Sequence, residues 1–364
     1  MSELGRAMKS AREHSGYSLT RMAQVSHYSA AYLSLIENGK RRAAPGVVTA
    51  YEQALGVSIG DDPVRRAHEW LVAESPVVEH RRAGRRIGVG TVEVVEARVV
   101  ELRRLDDVVA GGELLPVVLR EWDSAVGLVR EAAFSSVVRR RLLVAVAELA
   151  QLAGWVSGDV GRRAEAERLF LGGVGAAEEA GDRVLGAQLF SSLGYQCTNS
   201  GRHRDGVLLA RTAVQGGIPA TPVVRALFLD RLAWACAKSG DRDGARRALD
   251  GVEAAYERRS PDLVEPEWVY WFDRNEIDVM AGRCLIELGM PGVAGPLVEA
   301  AVARYPVERS REVAFYLTWL AEAHARNGER DAAADVFARA VEHAARMPSA
   351  RSDERLRAVG EVIR

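Results

Sequence analysis

Residues 320–344 read LAEAHARNGERDAAADVFARAVEHA, which predicts two helices joined by a tight turn at Gly328. Similar apolar segments end at four earlier glycines, so the chain contains an internal repeat. The turn glycines are Gly161, Gly201, Gly240, Gly289 and Gly328, separated by 40, 39, 49 and 39 residues. This periodicity predicts five stacked helical hairpins in an all-α body.

Small and apolar residues recur at fixed distances from these glycines. A Gly or Ala lies seven residues before each glycine and another lies five residues after it. An apolar residue follows nine positions after each one, as at Phe170 and Val298. Antiparallel helices approach closely only where small side chains occupy the crossing point, so these positions should form the seam of each hairpin.

Two of these segments, residues 320–344 and 232–252, resemble the tetratricopeptide repeat. The resemblance implies an α-solenoid whose stacked hairpins form a superhelix with a concave face. The other three hairpins are degenerate. The spacing also exceeds the typical repeat of about 34 residues, which predicts longer helices or loops.

One helix face carries polar or aromatic residues at ten, six and two positions before the turn glycines. These positions are four apart and share a face, which we expect to line the concave surface. Aromatic side chains among polar ones are typical of recognition surfaces, so this stripe predicts a groove for a peptide or small-molecule effector. An ordinary solvated face is the alternative. The predicted groove residues are Gln151, Trp155, Asp159, Ser191, Tyr195, Asn199, Asp230, Trp234, Lys238, Arg283, Glu287, Glu322 and Arg326.

The N-terminal segment predicts a second, smaller module. Residues 18–42 read SLTRMAQVSHYSAAYLSLIENGKRR. Ser18 and Ser29 are placed to cap two short helices, and Gly39 ends the second one before a basic cluster. Such a pair suits docking in the major groove of DNA, with the cations meeting phosphates. A small helical bundle with a solvated basic loop is the alternative.

This segment resembles the XRE-type, lambda-repressor-like helix-turn-helix, without insertion or deletion, over roughly the first sixty residues. The resemblance implies double-stranded DNA as a partner and an Arg12–Glu37 pair that ties the first helix to the third. One such unit buries little surface, so a homodimer is expected. The predicted DNA-binding residues are Ser29, Ala30, Ala31, Tyr32, Ser34, Leu35, Asn38, Lys40, Arg41 and Arg42.

The sequence departs from this family at two places. Ala30 and Ala31 stand where many relatives have long polar residues, and alanine offers a base only apolar contact, for example with a thymine methyl group. Tyr28, Tyr32 and Ser34 are then the nearby hydrogen-bonding groups. Ser26-His27 also replaces the usual Leu-Gly pair of the turn, which predicts a positive φ at His27.

The predicted domain organisation has five parts. They are a helix-turn-helix domain at 1–60, a linker at 61–90, connecting helices at 91–135, repeats at 136–347 and a C-terminal capping helix at 348–364. The arginines of the linker belong to a hinge or add contacts to flanking DNA. Residues 92–109 are either a dimer helix or the first cap of the array.

Composition excludes several classes of protein. The net charge is −1, the three cysteines are far apart and the N-terminus is too polar for a signal peptide, so a reducing cytoplasm and no membrane contact are expected. No catalytic motif or metal-ligand spacing appears, so we expect neither an enzyme nor a cofactor. A transcription regulator and a protein-interaction scaffold with weak or lost DNA binding both remain; the basic cluster favours the first and Ala30-Ala31 the second.

Overall fold

The computed structural model describes residues 3–41, 43–55, 87–306 and 309–363, and the regular elements within these ranges are helices. The prediction of an all-α chain is therefore confirmed for the described residues. The chain divides into two compact units, Met1–Arg66 and Ala67–Arg364. Most of the predicted linker, including Arg81, Arg82, Arg85 and Arg86, lies outside the described residues.

The N-terminal unit is a bundle of short helices around a small apolar core. Its described helices are α1 (Glu3–His14), α2 (Leu19–Ser26), α3 (Ala30–Glu37) and α4 (Pro45–Leu55). As predicted, the Ser18 and Ser29 hydroxyls accept hydrogen bonds from backbone N–H groups in the first turns of α2 and α3. His27 ends α2 with a φ of 58°, which confirms the left-handed turn expected there.

The second unit is a run of antiparallel helices. Its described α-helices are α5 (Val89–Asp106), α6 (Gly111–Glu131), α7 (Ser136–Asp159), α8 (Arg163–Ala180), α9 (Arg183–Asn199), α10 (His203–Gly216), α11 (Pro222–Ser239), α12 (Arg242–Tyr256), α13 (Arg274–Glu287), α14 (Pro291–Val302), α15 (Ser310–Arg326), α16 (Arg330–Arg346) and α17 (Ala350–Ile363). A short 3-10 helix, Glu267–Val269, interrupts the long connection before α13.

Five pairs of helices form the predicted hairpins: α7/α8, α9/α10, α11/α12, α13/α14 and α15/α16. Each turn contains one of the five repeat glycines, with φ between 77° and 83°. A side chain is strained in this left-handed region and glycine is not, which explains why the turns recur on glycine. The hairpin prediction from the repeat is thus confirmed.

The small residues lie at the seam of each hairpin, as expected. A Cβ added at Gly282 would lie 2.3 Å from the Val298 side chain, and one added at Gly154 would lie 2.6 Å from Phe170. Both partners occupy the position nine residues after the turn glycine. The small residue of one helix and the apolar residue of the other therefore face each other where the two helices cross closely.

The helices at the two ends of the array meet. Helix α17 packs on α15 and α16 and also reaches α7 of the first hairpin. Ser349, just before α17, donates a hydrogen bond of 2.8 Å to the Asp159 carboxylate at the end of α7. On α15, Arg311 lies 3.0 Å from the Asp106 carboxylate at the end of α5. The hairpins thus curl until the last helices contact the first.

Helix α5 packs against α6 and α7, with Val92, Val99 and Leu102 buried. This placement agrees with a first capping helix.

Helix α7 is long and apolar enough to cross a membrane by length and composition, but 72% of its most apolar 18-residue stretch is buried within the protein. Burial of this kind is what the core helix of a hairpin array requires, and it explains the apolar composition.

Candidate functional site

The outer surface of α3 is open. Ala31 and Leu35 are exposed, and Leu35 keeps 41% of its surface accessible although it is a large apolar residue. Leu33 and Ile36, on the opposite side of the helix, are buried in the core of the bundle. One face of α3 therefore anchors the helix, while the other leaves small and apolar side chains at the surface.

Exposed polar and basic groups follow the end of α3. The Asn38 side-chain amide donates a hydrogen bond of 2.8 Å to the Ser34 carbonyl oxygen and so caps the C-terminal end of α3. Lys40 and Arg41 are exposed, and the Arg41 guanidinium lies 4.9 Å from the centre of the Tyr32 ring. Arg42, the third predicted cation of this cluster, lies outside the described residues.

A buried ion pair fixes the position of α3. Arg12 of α1 makes two parallel hydrogen bonds to the Glu37 carboxylate, from Nε at 2.7 Å and from Nη2 at 2.8 Å. The Tyr51 hydroxyl of α4 donates to the same carboxylate at 2.8 Å. Glu37 is 2% exposed and Arg12 is 8% exposed, so this predicted pair is present and is almost inaccessible to solvent. It joins three helices and holds α3 rigid.

In the second unit, the predicted stripe lies on α7, α9, α11, α13 and α15, the first helix of each hairpin, and most of it is buried. The buried members are Asp159, Ser191, Tyr195, Asp230, Trp234, Arg283 and Glu322. The half-buried members are Gln151, Trp155, Lys238 and Glu287, and the exposed members are Asn199 and Arg326. The stripe therefore forms an interior rather than an open face.

Residues of the stripe contact each other from one hairpin to the next. The Trp155 and Tyr195 rings stack with centres 5.8 Å apart, and the indole N–H of Trp234 donates to Asn199 at 3.0 Å. Lys238 and Glu287 form an ion pair of 2.9 Å. These contacts connect four of the five hairpins through their inner helices, so the stripe stabilises the stacking of the array.

The C-terminal helix covers part of this stripe, which the sequence analysis did not predict. Arg355 of α17 forms an ion pair of 2.5 Å with Glu322. Arg351, one turn earlier, lies over Trp155 and has its Nε 3.7 Å from the Asp159 carboxylate. Arg351 and Arg355 are four residues apart, a spacing that places two cations on one face of a helix and could have indicated the contact.

A chamber of about 100 Å³ remains inside the array. Its walls include Gln151 and Trp155 of the stripe, Arg231 on α11, Trp271 in the connection before α13, and Arg311. A second cavity of about 90 Å³ is lined by Asn199 and Glu354, among others, and shares Trp155 and Tyr195 with the first. The stacked Trp155–Tyr195 pair is thus a common wall of the two spaces.

Two buried groups have strongly shifted pKa values: Tyr195, which lines the chamber, and Asp230, which precedes the chamber residue Arg231 on α11. Burial alone would raise the pKa of Tyr195, but the positive charges of Arg283, Arg351 and Arg231 lower it to about 8. Burial raises the pKa of the Asp230 carboxyl to about 7, although Arg231 opposes this shift. Positive charge therefore dominates the surroundings of Tyr195.

The three cysteines are buried, and the positions of Cys197 and Cys236 within their hairpins are those of packing residues. Burial raises the pKa of the Cys197 thiol to about 12 and that of Cys236 to about 11, so neither is a reactive thiolate near neutral pH. Among the described residues, no group of three or more His, Cys, Asp or Glu side chains could hold a metal ion.

Comparison with known proteins identifies the N-terminal unit. Residues 3–67 match the family model of a helix-turn-helix domain. No curated protein matches the sequence. Among solved structures, the chain is similar to Bacillus thuringiensis PlcR in complex with the peptide PapR7 and DNA, with 10% identity, coverage of 90% of this chain and 98% of that chain, and a TM-score of 0.38. It is also similar to the apo form of the competence regulator ComR from Streptococcus vestibularis, with 12% identity, coverage of 99% and 97%, and a TM-score of 0.33. Both TM-scores are below 0.5, so these two structures do not define what this chain binds.

Proposed function

We propose that this chain is a sequence-specific DNA-binding transcription regulator. The observation that carries the proposal is the exposed face of α3, followed by Lys40 and Arg41 and held in place by the Arg12–Glu37 pair. A rigid helix with a neutral face and flanking cations fits the major groove, since the cations meet phosphates on either side. The match of residues 3–67 to a helix-turn-helix domain supports this assignment.

The second unit is proposed to bind an effector, a peptide or a small molecule, in its interior. The support is the chamber beside Trp155, where aromatic rings and buried charges meet. Effector binding alters DNA affinity only if the array has two conformations and the effector binds one of them more tightly. A ligand with equal affinity for both conformations leaves their populations unchanged. The proposed regulator is a cytoplasmic homodimer without catalytic activity, and its operator has two half-sites.

A protein-interaction scaffold is the second candidate. Ala30 and Ala31 favour it, because neither side chain can donate or accept a hydrogen bond from a base edge. In that case the basic residues after α3 would meet an acidic protein surface rather than phosphates. The two candidates differ in whether the intact chain selects particular DNA sequences from a mixture.

Selection of genomic fragments by the purified full-length chain tests the proposal. We expect recurrent enrichment of fragments that share one sequence with two related half-sites. The double variant Lys40→Ala/Arg41→Ala should lose this enrichment, whereas the control Arg258→Ala, which removes an exposed charge from the second unit, should keep it. Fragments without a shared sequence, or equal enrichment by both variants, would favour the scaffold.

A further inference from the structure

Within the described part of the chain, Arg231 is a buried cation that contacts aromatic rings and forms no ion pair with a carboxylate. It lies on α11, is 6% exposed and lines the 100 Å³ chamber. Its guanidinium lies 4.0 Å from the centre of the Tyr195 ring, 5.5 Å from Trp271 and 5.8 Å from Trp155. Among the described residues it forms no hydrogen bond and no ion pair, which is costly for a charge removed from water.

Arg283 is in the same situation on the neighbouring helix α13. It is 1% exposed, and its Nη2 donates to the Tyr195 hydroxyl at 3.1 Å. Its Nη1 contacts the Met280 sulfur, and its Nε has no hydrogen-bond partner among the described residues. Neither contact neutralises the charge, so two buried guanidinium groups meet the same tyrosine without a counter-ion of their own.

The other arginines that line the chamber form ion pairs. Arg311 is paired with Asp106, and Arg309 is paired with Asp107 at 3.0 Å. The Glu276 carboxylate accepts hydrogen bonds from two tyrosine hydroxyls, those of Tyr305 and Tyr316. The third guanidinium near Tyr195, that of Arg351, has Asp159 at 3.7 Å. Among the described residues, Arg231 and Arg283 are therefore the guanidinium groups of the chamber that form no ion pair, although the buried Asp230 carboxyl interacts electrostatically with both of them.

We propose that this part of the chamber is a binding site for a compact oxyanion, a carboxylate or a phosphate group, held by Arg231 and Arg283. Guanidinium groups bind such anions through parallel N–H···O bonds. The side-chain oxygen of Gln188, in the same wall, has no hydrogen-bond partner among the described residues, so turning this amide to offer its N–H₂ to an anion would break no hydrogen bond of that oxygen. The inference rests on the proposed effector-binding role of the second unit and specifies the chemistry of the effector.

The volume of the chamber limits the size of this ligand. A cavity of about 150 Å³ holds a molecule the size of benzene, and the chamber here measures about 100 Å³. A ligand of a few non-hydrogen atoms fits without movement of α17, whereas an extended peptide does not. Bound there, the oxyanion would neutralise charges carried by α11 and α13 and so stabilise the packing of two successive hairpins.

Titration of the full-length chain with sodium acetate and with sodium phosphate tests this site. Sodium chloride at matched ionic strength is the reference for screening. Because Trp155 and Trp271 surround Arg231, tryptophan fluorescence should report a saturable response to at least one oxyanion and none to chloride. The two arms distinguish a carboxylate from a phosphate ligand. Only linear responses equal to that of chloride would overturn the proposal.

Variants on α11 make the test specific. Arg231→Gln removes the charge and should weaken binding roughly tenfold or more. Arg231→Lys keeps the positive charge, so this variant should fold even if Arg231→Gln does not. It lacks the planar guanidinium with its parallel N–H donors, so it should bind the oxyanion with intermediate affinity. Arg225→Gln removes a charge from the same helix, where its guanidinium bonds the Val214 carbonyl instead of facing the chamber, and should bind like the parent. Equal affinity in all four proteins would overturn the proposal.

DNA binding by the same proteins separates this proposal from the proposed function. If the parent selects an operator but no oxyanion binds, the chamber assignment is wrong and the regulator assignment stands. If the oxyanion binds and no DNA sequence is selected, the regulator assignment is wrong and the chamber assignment stands.

Discussion

At the scale of single residues, buried charge performs two different tasks in the two units. In the first unit, Glu37 accepts three hydrogen bonds from Arg12 and Tyr51, so its charge is fully compensated. In the second unit, Asp230 is 1% exposed, and its Oδ2 has no hydrogen-bond partner among the described residues. The first residue therefore stabilises a rigid surface, whereas the second makes the interior sensitive to its charge state.

Replacement of Glu37 by Gln tests the anchor of α3. The change removes the buried counter-ion of the Arg12 guanidinium and leaves it only the exposed Glu13, which should cost about 3–5 kcal/mol of local stability. Amide hydrogen exchange of α3 in the full-length chain measures this loss. Glu13→Gln is the matched control, because Glu13 also contacts Arg12, at 3.4 Å, but its side chain is 54% exposed. Equal protection in parent, variant and control would show that the pair does not hold α3.

Replacement of Asp230 by Asn tests the interior charge through pH. Burial raises the pKa of Asp230 to about 7 in the folded chain, while an unfolded aspartate titrates near 4. The folded chain binds this proton more tightly, so the contribution of Asp230 to stability falls as the pH rises between those two values. The variant should therefore gain stability over the parent with rising pH, by at most about 1.4 kcal/mol per pH unit.

Urea unfolding across this pH range measures the difference between the two proteins. Asp250→Asn, which changes an exposed aspartate on α12, should follow the parent at every pH. A constant difference between Asp230→Asn and the parent would contradict a raised pKa at Asp230.

At the scale of helices, the structure of a hairpin was predictable from sequence and the contents of the interior were not. Local spacing in the sequence predicts the positive φ of the turn glycines and the close pairs Gly154–Phe170 and Gly282–Val298, because turn and seam lie within one hairpin. Arg231 was missed because it immediately follows Asp230, one position away from the predicted stripe. Its role depends on Trp271, which comes from an irregular segment without a repeat pattern.

Replacement of Gly282 by Ala tests the seam of the fourth hairpin. The added methyl group would lie 2.3 Å from the Val298 side chain, so either this side chain or the two helices must shift. We expect a loss of about 1–3 kcal/mol in the free energy of unfolding, measured by urea titration. Gly175→Ala is the control, since no atom lies within 4 Å of the added group, and it should gain up to about 1 kcal/mol of helix propensity. Similar stability of the two variants would argue against a close crossing.

At the scale of the second unit, a long-range ion pair and a long-range hydrogen bond close the array. Arg311 is separated from Asp106 by 205 residues, and Ser349 is separated from Asp159 by 190 residues. No repeat pattern in the sequence indicates such contacts, because they depend on how far five hairpins curl together. The sequence predicted the face on which the stripe lies, but the open concave surface expected for it is instead largely filled and covered by α17.

Replacement of Arg311 by Met tests this closure. The side chain of Arg311 is 3% exposed, and its loss leaves Asp106 and Asp159 without their shared cation. We expect a loss of about 3–5 kcal/mol in the free energy of unfolding of the second unit. The control is Arg309→Met, whose ion pair with Asp107 is more exposed, with a side-chain exposure of 27%, and should cost about 1 kcal/mol or less. Equal losses would contradict closure by a buried pair.

The salt dependence of DNA binding tests most directly whether α3 and the basic residues after it dock on DNA. On an operator found by selection, the logarithm of the binding constant should fall linearly with the logarithm of salt concentration. Lys40→Ala/Arg41→Ala should bind more weakly and with a slope shallower by about 0.9 for each phosphate that is no longer neutralised, or about 1.8 if both residues meet phosphates. Arg258→Ala/Arg330→Ala, which removes two exposed charges from the second unit, should keep the slope of the parent. Parallel slopes for the parent and for Lys40→Ala/Arg41→Ala would contradict docking of this surface on DNA.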